Sequence, residues 1–313
     1  MALVIPLVAG SLLALGRGAP AVPAGSDELY RRALSRTLQR AETEYLATLD
    51  LWVDHSRWDD PWLATSDHFE VRTIESYALA AEIAKSLEYL RGEWVKLLGT
   101  GNATAKKQAV WIFPNMAAYN QFGEGMSDQD AAQHSSAYAS FYAGENAEQP
   151  VVTYFTPNRT QLGMWITHGA VHQYLQQSFA ARPPTWISEG LASYFALYWD
   201  WSWGAQELKR LAAGPRFVRI ERLAQDPLQA YTGTADERFI ELGMLFHYLL
   251  NFCPATKNGA EGQPDAGPFR EFLRAAVRGE DVSRTHFAQM FDEAADLLES
   301  DLKEFDFAAH GAQ

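Results

Sequence analysis

Cysteine is nearly absent. Cys253 is the only one in 313 residues, so no disulfide can form within the chain. It ends the apolar run Leu249-Leu250-Asn251-Phe252-Cys253 with no catalytic-cysteine signature around it, and it reads as a small buried hydrophobe. Positive charge is also short: 26 Lys and Arg stand against 39 Asp and Glu, a formal net charge of −13, and no basic stripe stands out. Such a surface repels phosphate backbones, which excludes nucleic acid as an expected partner. There is no internal repeat, which excludes repeat arrays. Nor is there an apolar run of the roughly 20 residues that a membrane-spanning helix needs. The stretch from Ala2 to Leu15 is apolar but shorter, broken by Pro6, Gly10 and Ser11, and followed by small residues through Ala24. It reads as a secretory signal over residues 1–24, which implies export to a periplasmic or extracellular space; an uncleaved anchor is the alternative.

Apolar material is plentiful. Hydrophobic residues make up 47% of the chain, with 17 Phe, 13 Tyr and 10 Trp, enough to build one sizeable core. Leu34, Leu38, Ala41, Tyr45, Leu49 and Trp52 recur at helical intervals, so residues 25–60 are expected to carry an N-terminal helix, ended by Trp58-Asp59-Asp60-Pro61-Trp62. Residues 61–159 alternate strand and helix signals. Strands are expected at His68–Thr73, Lys107–Phe113, Ala137–Tyr142 and Val151–Phe155, with a long helix opening at Ser76, a short one near Met116–Phe122, and a turn at Gly144-Glu145-Asn146. Residues 160–313 read as almost purely helical, with helices near 160–179, 186–199, 204–213, 236–252, 268–278 and 285–306. A Pro/Gly-rich loop runs from Pro254 to Pro268. A small mixed sheet with helices followed by a helical half defines an α+β fold, with any cleft lying between the halves.

The chemistry concentrates between Trp165 and Phe195. His168 and His172 are spaced by one helical turn on an apolar helix, so both imidazoles project from one face, within reach of one metal ion. A Pro-containing turn follows, and a second helix pattern from Trp186 presents Glu189 in its first turn. Two imidazoles and one carboxylate leave a tetrahedral zinc with one open position. Taken alone, a His pair at this spacing arises easily by chance, and a Glu near a helix start is commonly a dipole partner. The joint pattern is far more specific.

That pattern resembles the gluzincin zinc metallopeptidases, and within them the peptidase MA-like domains of bacterial proteins. The family's zinc helix carries His-Glu-x-x-His, often followed by Gln, as Gln173 follows here. Its second helix carries Trp-Leu-x-Glu-Gly-Leu/Phe-Ala-x-Tyr-Phe, which Trp186 to Phe195 match almost position by position. The resemblance covers roughly residues 60–307. It implies a gluzincin-like fold, Zn2+ as the cofactor, and His168, His172 and Glu189 as its ligands. It also implies a departure. The family's general-base glutamate is replaced by Gly169, which has no side chain to accept a proton. Losing such a base typically costs roughly 10²–10⁴-fold in rate. In the family a Tyr often opens the helix equivalent to Phe239–Leu250; here Phe239 takes that place, with Tyr231 one loop upstream.

The resemblance and its departures together imply a metal-binding protein with impaired catalysis, acting on a peptide or protein ligand by binding. Two alternatives stay open: an active hydrolase with a substitute base, for which Glu241 and His247 are the nearest candidates, or a structural domain without metal. Trp199-Asp200-Trp201-Ser202-Trp203 reads either as a substrate shelf or as packing.

Overall fold

The computed structural model describes residues 58, 60–101, 106–124, 139–141, 150–214, 235–253, 267–280, 300, 302–305 and 307. The chain divides into two compact units, Met1–Val53 and Asp54–Gln313, and every described residue belongs to the second. The expected signal and N-terminal helix, the Gly144-Glu145-Asn146 turn, Tyr231, the body of the loop after Pro254 and most of the helix near 285–306 lie outside the described residues.

The fold is mixed α+β with a small mixed sheet and mostly helical content. Five strands, β1 (Trp62–Thr65), β2 (Phe69–Thr73), β3 (Gln108–Phe113), β4 (Ala139–Phe141) and β5 (Val151–Tyr154), lie in the order β1-β2-β3-β5-β4. β2, β3 and β5 run parallel, and the two edge strands pair antiparallel to their neighbours. Parallel neighbours need a crossover, and α1 (Tyr77–Leu98) supplies the one between β2 and β3. Ser76 starts α1 by accepting a hydrogen bond from the Leu79 amide at 3.1 Å. β1 was not expected, because the Trp-rich segment before it reads as a boundary; it is short and exposes Leu63.

Strand alternation gives the sheet two faces. Phe69, Val71, Val110, Ile112 and Val151 point to one side and are fully buried there. α1 covers that side together with α3 (Arg159–Ser178). Trp94 of α1 is fully buried where the layers meet, with its ring 6.2 Å from Phe69, 5.5 Å from Tyr174 of α3 and 6.0 Å from Phe195. On the other side α2 (Met116–Glu124) and Trp58 cover Phe113, Val152 and Tyr154 in a smaller aromatic cluster. One hydrophobic core thus runs from the sheet into the helices.

The helical half follows as α3, α4 (Thr185–Ala196), α5 (Trp201–Ala212), α6 (Ala235–Asn251) and α7 (Pro268–Val277). Asn158 caps α3 through the Gln161 amide, and Pro183-Pro184 ends the turn before α4, where a missing N–H costs nothing. Asp200 caps α5 by accepting from Trp203, and Pro268 is the first residue of α7. A short 3-10 turn at Leu197–Trp199 joins α4 to α5. Of the tryptophan cluster, Trp199 donates to Thr167 at 2.8 Å and Trp201 stacks on His247, so both serve packing; Trp203 is exposed. Cys253 is buried, as expected. No helix among the described residues is long and apolar enough to cross a membrane.

Candidate metal centre

α3 and α4 form a hairpin across a short Pro-containing turn, and their facing sides bring the three expected ligands together. His168 and His172 stand one turn apart on α3, with ring centroids 4.8 Å apart and Nε2 atoms separated by 3.2 Å. α4 starts one residue earlier than expected, at Thr185, so Glu189 sits just beyond its first turn. Its carboxylate straddles the pair: Oε2 lies 3.3 Å from His168 Nε2 and Oε1 lies 3.4 Å from His172 Nε2. His168, His172 and Glu189 form the one group of three or more His, Cys, Asp and Glu side chains among the described residues that is close enough to hold an ion, with ligand atoms within 4.8 Å of one another.

These separations have a chemical meaning. A tetrahedral zinc with bonds of about 2.0–2.1 Å holds its donors about 3.3 Å apart. The two Nε2 atoms already stand at that spacing, and each carboxylate oxygen stands at that spacing from one imidazole. The donor set fits a zinc-type ion, and the side chains are only 16–26% exposed. An imidazole-loving ion of another element would fit the same donors.

Local packing sets the geometry. His172 Nδ1 lies 2.9 Å from Ser188 Oγ, a contact across the hairpin that orients the ring and directs Nε2 toward Glu189. Nothing in the spacing of the sequence marks Ser188 as a partner, since the contact joins two helices. Gly190 lets α4 approach α6: a Cβ there would stand 2.1 Å from a ring carbon of Phe246. The Glu-Gly pair therefore supplies a candidate ligand and the room that positions it.

Electrostatics follow from the same contacts. Burial raises the Glu189 carboxyl, but the neighbouring His172 and His168 imidazoles outweigh it and hold the group well below the usual carboxylate range. Burial pushes the His168 imidazole down, against the raising influence of Glu189. Both shifts favour the forms that bind a metal, an ionised carboxylate and a neutral imidazole.

The catalytic complement is thin. Gly169 is buried inside α3 beside His168 and offers no proton acceptor. Phe239 of α6, an apolar ring without a hydroxyl, lies 5.6 Å from the His168 ring. Neither substitute candidate is free for the task. Glu241 is 1% exposed and bound to Arg238 at 2.6 Å. His247 lies eight residues beyond Phe239, about 12 Å along the helix, stacked on Trp201. No protein-family model matches the chain, and no curated protein matches it.

Proposed function

We propose that the chain is a zinc-binding, gluzincin-like protein that holds a peptide or protein ligand at the metal and does not cleave it. The observation that supports the reading is the convergence of His168, His172 and Glu189 at the donor spacing of a tetrahedral ion, beside a glycine at the general-base position. His168 and His172 would supply the two nitrogen ligands and Glu189 the oxygen ligand. A zinc ion so held supplies a Lewis-acid coordination position for a carbonyl or carboxylate oxygen. The residues of the chain orient and fix that ion: Ser188 aligns His172, and the Gly190–Phe246 contact sets the height of Glu189. Gly169 offers no proton acceptor and Glu241 is bound to Arg238, which is why binding, rather than hydrolysis, is the proposed role.

Metal analysis tests the reading. Purified chain dialysed against zinc should retain about one ion, and a His168→Ala variant should retain none. Zinc should raise the midpoint of thermal unfolding and a chelator should lower it, because a ligand that binds only the folded state stabilises it, by about 2.7 kcal/mol at a hundredfold excess over Kd. A wild-type chain that takes up no zinc and unfolds at the same temperature with either addition would end the proposal. Peptide cleavage that a chelator abolishes would instead favour an active enzyme.

A further inference from the structure

Gly169 has a partner in its departure from the family pattern. It packs against β5, where Val151 is fully buried on the face of the sheet that α3 covers. A Cβ built on Gly169 would stand 2.7 Å from Val151 Cγ1 and 3.3 Å from Cγ2. Non-bonded carbon atoms essentially never approach to 2.7 Å. The methyl groups cannot swing clear cheaply either: a β-branched side chain is stiff at its first torsion, and Val151 pairs in register with Val110 of the neighbouring strand. Even alanine at 169 is therefore overpacked, before any carboxylate is considered.

We infer that the general-base position is closed from both sides, and that Val151 is a second determinant of the site's chemistry. Glycine removes the proton acceptor; the Val151 isopropyl fills the volume through which any side chain at 169 would leave the helix. The inference rests on the metal-site reading for its functional meaning and on the packing alone for its geometry. It follows that a carboxylate at 169 needs a shorter residue at 151 to reach the metal face without displacing α3.

The test is a double-mutant cycle on the full chain with four proteins: wild type, Gly169→Ala, Val151→Ala and the double variant. Thermal midpoint and zinc content are read on each. With Val151 present, Gly169→Ala should lower the midpoint by about 2–6 °C, the strain exceeding the gain in helix propensity. In the Val151→Ala background, the same change should raise it by about 2–4 °C, since only the propensity gain remains. The sign reversal is the expected result. A Gly169→Ala change that raises the midpoint equally in both backgrounds overturns the inference. A second arm compares Gly169→Glu with Gly169→Glu/Val151→Ala: the double variant should hold more zinc and melt higher. Chelator-sensitive peptide cleavage by Gly169→Glu alone, at the rate of the double variant, would also overturn it. Absence of zinc in the wild type would sink the metal-site reading and leave the thermal cycle to decide this one.

Discussion

His247 makes a quantitative claim about acid stability. Its ring stacks on the Trp201 indole at 3.9 Å and 20°, lies edge-on to Phe252 at 5.1 Å, and is near Phe307 and Tyr194. Asn251 Nδ2 lies 3.1 Å from His247 Nδ1 and also donates to the His247 carbonyl at 2.9 Å. An amide N–H facing Nδ1 requires that nitrogen to be unprotonated, so the neutral ring is the form this site accommodates. Burial pushes the imidazole down from 6.5 to about 4. The folded value lies below the unfolded one, so the unfolded chain takes up the proton first and stability falls as pH drops. The contribution is intact above about pH 6.5, falls through the interval between the two values, and levels off below about pH 4. Near pH 5 the linkage amounts to about 2 kcal/mol. A protonated ring over an indole regains something like 0.5–2 kcal/mol as a cation–π contact, so a net loss nearer 1 kcal/mol is the working figure. Carboxylates titrate over the same interval, so the wild type alone does not isolate the effect. His247→Phe does: it keeps an aromatic ring against Trp201 and leaves Asn251 its carbonyl acceptor. Urea unfolding of both proteins between about pH 7 and 5 should show the wild type losing about 1 kcal/mol more than the variant. Parallel pH profiles would refute the argument, because burial would then not be setting the protonation state of this ring.

Two predictions concern the metal hairpin. Ser188→Ala removes the group that orients His172 and should weaken zinc binding at least about 10-fold, with the metal-free thermal midpoint almost unchanged; a competition titration with a chelating dye measures it, and an unaltered Kd would show that the ring needs no help from α4. Gly190→Ala places a carbon 2.1–2.6 Å from three atoms of the Phe246 ring and should destabilise the chain by about 1–3 kcal/mol in denaturant unfolding, whereas a midpoint equal to wild type would mean that α4 and α6 can separate freely.

Much of this was readable before any coordinates, for definite reasons. Capping and periodicity located α1 to one residue, because Ser76 caps it by accepting from the Leu79 amide. The spacing of His168 and His172 on an apolar helix fixes their common face, and the Glu-Gly pair after Trp186 sets the third candidate ligand opposite them. The structure brings all three together and sets the Phe239 ring 5.6 Å from that of His168. What escaped were relations between elements. β1 pairs with β2 by main-chain hydrogen bonds that its side chains do not advertise. Ser188 looks like a variable position until α3 is laid beside α4. Val151 is one apolar residue among several in a strand until its methyl groups are found against Gly169. Pattern along one chain carries the first kind of information; only packing carries the second.

In the site proposed here, holding a metal and using it would depend on different contacts, so one could persist without the other. The three candidate ligands are positioned by helix spacing, by Ser188 and by the close approach at Gly190, none of which involves residue 169. Gly169 is held in place by another force. A glycine inside a helix costs about 1 kcal/mol relative to alanine, which favours its replacement. The overpacking that alanine would meet at Val151 costs about 1–3 kcal/mol, which opposes it. The second effect is the larger, so packing alone keeps glycine at this position whether or not a proton needs moving. A change at 169 that restored chemistry without a change at 151 would have to overcome that margin first, and the donor geometry gives it no help in doing so.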